Sequence, residues 1–171
     1  MNYKDWLKKY YPIPASEVKG TDLDFIDHCI NKWEGLKDLS PYNLRFSYGS
    51  VISMRPDNTV LNIDGESCAL CEEYYDHDWF EVAEIDDCIE EDEDYPDHPC
   101  TKCPLARSLG IPCDGGEDGG VFYRGKKDPQ LMIDALKAAR EMVEKEFAQN
   151  ESEDEGFKSD YIISQMDDSD D

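Results

Sequence analysis

The sequence predicts an α+β fold: a small helical domain with a β-hairpin and a four-cysteine zinc module, followed by an acidic, disordered C-terminal tail. Three observations predict it. Apolar residues recur at helical spacing in two separate segments, two short β-rich runs flank a turn, and two Cys-x-x-Cys pairs follow them. The chain has 171 residues, of which 39% are hydrophobic and 34% charged. It is therefore one domain plus appendages, with a core small enough to gain from a metal staple. The expected organisation is a single zinc-stabilised domain over residues 1–148, with the zinc module at about 65–115, an acidic loop at 72–98 and an acidic tail at 149–171.

The first element is a short segment carrying Trp6 and Tyr10, four residues apart, expected to pack on the helix that follows. That helix opens at Thr21, whose side chain suits the N-cap. Asp22 and Asp24 sit favourably at the positive end of its dipole. Leu23, Ile26, Cys29, Ile30, Trp33 and Leu36 form its apolar stripe, and the Gly35–Lys37 region suits its end. Because Cys29 falls on that stripe, it reads as a buried, inert thiol. Residues 50–55 and 60–64 then read as two strands joined by a turn at 56–59, a hairpin that delivers the chain to the first cysteine pair.

The last ordered element is a helix opened by Asp128 as cap and Pro129 in the first turn. Leu131, Ala135, Leu136, Ala139, Met142, Val143 and Phe147 are its expected core face, with Lys137, Arg140, Glu144 and Lys145 toward water. Beyond Ala148 the composition changes. Residues 149–171 hold nine acidic side chains and one basic, the signature of a disordered tail. Within it Phe157, Tyr161, Ile162, Ile163 and Met166 form an apolar island that suits either a partner groove or this chain's own domain.

Charge excludes several functions. Seventeen Lys and Arg face 41 Asp and Glu, a formal net charge of −24. Such a field repels nucleic acid and anionic lipid and favours basic protein surfaces. The N-terminal stretch MNYKDWLKKYYPIP has neither the apolar run nor the cleavage site of a signal peptide, and no stretch is apolar enough to span a bilayer. The expected compartment is the cytoplasm. There, clustered cysteines serve as metal ligands more often than as disulfides.

Cys68-Ala-Leu-Cys71 and Cys100-Thr-Lys-Cys103 carry the chemistry. Two residues between ligands let a tight turn set both sulfurs on one metal, and two such turns complete a tetrahedron. A closed four-thiolate shell leaves no position for water, so the expected cofactor is one structural Zn²⁺ and no catalysis. Cys113 and His98 are alternates for one of the four ligands. Cys88 reads as a small apolar residue near Ile85 and Ile89. A redox role for the first pair is disfavoured by Glu72 and Glu73, which follow it directly.

Between the pairs, residues 72–97 carry fourteen carboxylates, and residues 56–101 contain no Lys or Arg. Glu81, Glu84, Asp86, Asp87, Glu90, Glu91, Asp92, Glu93, Asp94 and Asp97 form the candidate partner face. Tyr74, Tyr75, Trp79 and Phe80 are interleaved with these acids. The rings suit either a recognition face or a cover for the zinc core. With no nucleophile motif, phosphate loop or dinucleotide fingerprint, the chain reads as a non-enzyme.

The order Cys68-Ala-Leu-Cys71, Tyr74, Cys100-Thr-Lys-Cys103-Pro104, Gly110 and Cys113 resembles a group of short cysteine-rich bacteriophage proteins with a CxLC…CxxCP…G…C, zinc-knuckle-like pattern. The resemblance covers residues 67–113. The chain departs from the pattern in its long acidic insertion and in lacking a Pro-Tyr after the last cysteine. The resemblance implies a larger role for Cys113 and a protein that acts in a host cytoplasm against a host enzyme. The resulting expectation is an acidic zinc protein that inhibits a nucleic-acid-binding protein, with the carboxylate face standing in for DNA phosphates. The alternatives are an adaptor docking through its aromatic patch and tail (Tyr161, Ile162, Ile163, Met166), or an iron–sulfur or redox protein.

Overall fold

A computed structural model describes residues 3–39, 44–47, 51–54, 59–62, 67–75, 100–115 and 120–166; for the strands and for residues 150–166 the backbone course alone is described. Helix α2 (Asp22–Lys37) organises the fold, packing against α1 (Tyr3–Tyr10), α3 (Ala69–Tyr74) and the long α6 (Pro129–Met166). Two further helices, α4 (Pro104–Leu109) and α5 (Gly120–Lys127), pack against α6.

Helix α2 starts where the sequence places its cap. The Asp24 carboxylate accepts the Thr21 amide at 2.7 Å and the Thr21 hydroxyl at 2.9 Å. Its stripe of Ile26, Cys29, Ile30, Trp33 and Leu36 is buried. Trp6 and Tyr10 pack on that stripe at Gly35, which lies inside the helix and serves as the crossing point, not as its end. A Cβ at Gly35 would stand 2.6 Å from the Tyr10 ring carbon Cγ and 2.8 Å from Trp6. The missing side chain brings α1 close enough for Trp6 Nε1 to donate to the Gly35 carbonyl at 2.8 Å.

Helix α6 opens as predicted, with Asp128 accepting the Gln130 amide at 3.1 Å and Pro129 as its first residue. Its buried face differs from the predicted one. Met132, Ile133, Leu136, Ala139 and Val143 enter the core, whereas Leu131 and Phe147 are exposed. Three consecutive apolar residues, 131–133, leave the facing open until packing decides it. Arg140 is not left to water: its Nε donates to Asp27 at 2.8 Å, tying α6 to α2. Helix α5 was not foreseen, because it packs through the small residues Gly120, Val121 and Gly125 and so shows no large apolar stripe.

The fold class requires correction. Helices dominate the described residues, and the fold is helical, not α+β with a β-hairpin. Short runs at Leu44–Ser47, Val51–Met54 and Thr59–Asn62 pair antiparallel in chain order as β1, β2 and β3. Every described core residue lies in a helix or in a turn between helices. The reason is that α2 and α6 satisfy each other's apolar faces, so no sheet is needed to cover them. The tail expectation is also corrected. Residues 149–166 continue α6 as helix to Met166, carrying Tyr161, Ile162 and Ile163 with them. The segment contains no proline to break the helix, and α6 already supplies its costly nucleus.

Candidate metal centre

The two cysteine pairs stand at the starts of two short helices. Cys68 caps α3, and its carbonyl accepts the Glu72 amide at 3.0 Å. Cys103 caps α4, whose first residue is Pro104, and the Cys103 amide donates to the Cys100 carbonyl at 2.9 Å, closing that turn. Both pairs are anchored by neighbouring apolar side chains: Ala69 and Leu70 on α3, Leu105 and Ala106 on α4 are buried in the common core.

Cys113 reaches the same place by a different route. Its carbonyl accepts the Phe122 amide of α5 at 2.8 Å. Gly120 permits this approach, with a φ of +66° and no Cβ; one built there would lie 2.3 Å from the Cys113 oxygen.

These turns bring Cys68, Cys71, Cys100, Cys103 and Cys113 around one cavity of about 10 Å³. That is room for one small, water-sized sphere between the sulfurs. All five cysteines are free thiols, as is Cys29. Among the described residues, no group of three or more His, Cys, Asp or Glu side chains is placed so that it could hold a metal ion.

The electrostatics describe a cluster that resists being charged. Burial pushes the Cys103 and Cys113 thiols up, and it pushes Cys100 up to about 11, with the neighbouring sulfurs adding repulsion in each case. Cys71 is raised because its thiol donates to Cys68 and because it is buried. Cys68 alone is held well below the usual thiol range. Hydrogen bonds from the Cys29 and Cys71 thiols are the main cause, ahead of burial, which opposes them, and the Lys32 ammonium nearby. A divalent cation among these sulfurs would replace mutual repulsion with attraction, and thiolate is the donor zinc prefers. The donor set therefore fits zinc.

Lys32 is the one charged residue buried in this region among the described residues. It is 1% exposed, and its Nζ donates to the Ser67 carbonyl at 2.5 Å and to the Ser67 hydroxyl at 3.1 Å. Ser67 immediately precedes Cys68, so this contact ties the first cysteine turn to α2.

The remaining predicted residues divide into two groups. Tyr74 turns toward α2, where it packs edge-on against Phe25 with ring centroids 6.3 Å apart and donates a hydrogen bond to Asp22. Tyr75 lines the cavity beside Cys100. For these two rings, covering the cysteine core is the role the geometry supports. Trp79, Phe80, Cys88, His98 and the carboxylates from Glu81 to Asp97 lie outside the described residues, as do the side chains of Tyr161, Ile162, Ile163 and Met166. Sequence reasoning put Cys29 on the buried stripe, where it lies, but missed its contact with Cys68 and missed Lys32. The signal for both was present: a lysine three residues after a cysteine on an otherwise apolar stripe.

Comparison with known proteins finds no matching family model, no similar curated protein and no similar solved structure. Among the described residues, no helix is long and apolar enough to cross a membrane.

Proposed function

We propose that the chain is a non-enzymatic, zinc-stabilised acidic binding protein. In this reading its cysteine centre holds one structural zinc ion and presents the acidic segment to a basic protein surface. The observation that carries it is the gathering of five cysteines around a cavity with room for one small sphere, with Tyr75 and Cys100 both on its wall. Residues 76–99 therefore leave and return at the same point. A metal there clamps both ends of the most acidic stretch of a chain whose net charge is −24. Clamping reduces the conformational entropy that the segment loses on binding, because its ends are already together.

The proposed partner is a nucleic-acid-binding protein in the same cytoplasm, its basic channel occupied by carboxylates in place of phosphates. The resemblance of the cysteine order to that of phage proteins would make a host enzyme the target. The test is capture of partners on the tagged, zinc-loaded chain from its native or host lysate, eluted first with rising salt and then with duplex DNA. Release of a nucleic-acid-binding protein by both supports the reading, because phosphate-like contacts weaken steeply with salt. A partner that resists both, and still binds after Glu90, Glu91, Asp92, Glu93 and Asp94 are changed to lysine, sinks it.

A further inference from the structure

The five cavity cysteines do not account for every thiol at this site. Cys29, on the buried stripe of α2, has its Sγ 3.7 Å from that of Cys68. That is the edge of a tetrahedron of sulfurs around zinc, about 3.7–3.8 Å for Zn–S bonds near 2.3 Å. Two more contacts make the approach specific. The backbone amide of Leu70, inside the Cys68–Cys71 turn, hydrogen-bonds the Cys29 sulfur, so this turn serves Cys29 as well as its own cysteines. One helical turn further on, the buried Lys32 ammonium is bonded to Ser67, and the described residues place no carboxylate in ion-pair range of it. A buried cation needs a nearby anion, and the Cys29–Cys68 pair stands next to it: Cys29 lies three residues before Lys32 on α2, and Cys68 directly follows Ser67.

Resting on the reading of this site as a thiolate metal centre, we infer that Cys29 is one of its ligands, with Lys32 as the counter-charge that accompanies it. The centre is then built between α2 and the two cysteine turns, and the metal joins the helical core directly to the acidic segment. One tetrahedral ion needs four sulfurs. With Cys29 as one, the five cavity cysteines supply three, and two of them are dispensable for binding.

The experiment is cobalt(II) substitution of the full chain, reading the thiolate-to-cobalt charge-transfer band and the rise in melting temperature on adding metal. Wild type, Cys29→Ser, Cys29→Val and each single Cys→Ser variant of the five cavity positions are compared. Cys29→Val preserves apolar volume, so it folds if Cys29 is only a core residue. Loss of about a quarter or more of the band in both Cys29 variants is expected, with a smaller metal-induced rise in melting temperature. Two of the five cavity variants keep the full band. A Cys29→Val protein that melts like wild type without metal yet keeps the full band overturns the inference and leaves the metal reading standing. A wild-type chain that gives no thiolate band overturns both.

Discussion

The two halves of the buried interior are held by different forces. Between α1, α2 and α6, large side chains do the work: Trp6, Trp33, Ile26, Leu36, Met132 and Leu136 are each 2% exposed or less. Each such burial contributes about 1.5–3 kcal/mol. Around α3 and α4 the apolar core residues are Ala69, Leu70, Leu105 and Ala106, and the cavity wall is completed by five cysteines with Tyr74 and Tyr75. The first region is packed mainly by apolar burial, with the Trp6–Gly35 and Arg140–Asp27 hydrogen bonds beside it. The second gathers groups that repel one another when ionised, so its order depends on what neutralises them. The acidic segment runs in sequence between the two cysteine turns of the second region.

This contrast can be broken from either side. The largest effect is expected at Gly35. A Cβ there overlaps Tyr10 at 2.6 Å, so Gly35→Ala pushes α1 off α2 and breaks the Trp6–Gly35 hydrogen bond. Overpacking of this kind costs about 1–3 kcal/mol. The melting temperature should fall by the same amount with and without zinc, because the lesion lies in the metal-independent half.

Lys32→Met should show a different pattern. Removing the ammonium takes a buried donor from Ser67, which costs about 1–3 kcal/mol with and without metal. Loss of a group that supports the ligands weakens zinc binding about 10- to 100-fold, measured by competition with a chelator. If Lys32 only props up Ser67, stability falls equally in both states and zinc affinity holds.

The smallest effect belongs to the α2 cap. The Thr21 amide and hydroxyl hydrogen-bond the Asp24 carboxylate and hold it below its ordinary pKa. A group with a depressed folded-state pKa stabilises above its unfolded value and loses that contribution as pH falls through the folded one. Asp24→Asn should therefore lower stability slightly at neutral pH. The difference from wild type should vanish in acid, below the usual aspartate range, in pH-dependent melting curves.

How much of this was legible follows the same division. The apolar half was largely readable. Trp6 and Tyr10 at i,i+4, the stripe from Ile26 to Leu36, Thr21 as cap and the Asp128–Pro129 start are local signals, and local geometry expresses them. The α6 facing was not readable, since Leu131, Met132 and Ile133 are equally apolar and only contact with α2 selects among them. The short β-rich runs misled the fold class because strand propensity is set by what a strand packs on, and the helices leave it nothing to cover. In the cysteine half the spacing of the pairs pointed to one site. The share of α2 in that site was hidden, because a cysteine on an apolar stripe looks the same whether its neighbour in space is a leucine or another sulfur. The carboxylates from Glu81 to Asp97 lie outside the described residues; the fold brings together the two cysteine turns on either side of them in sequence.

The most direct test of the central claim is the metal content of the purified full-length chain, taken by native mass spectrometry before and after a chelator, with the melting curve recorded on each sample. One zinc per chain, lost to the chelator together with a cooperative part of the melting transition while the α1–α2–α6 helices persist, is the predicted result. A chain that carries no metal when purified with zinc present, and melts identically with and without chelator, would contradict it.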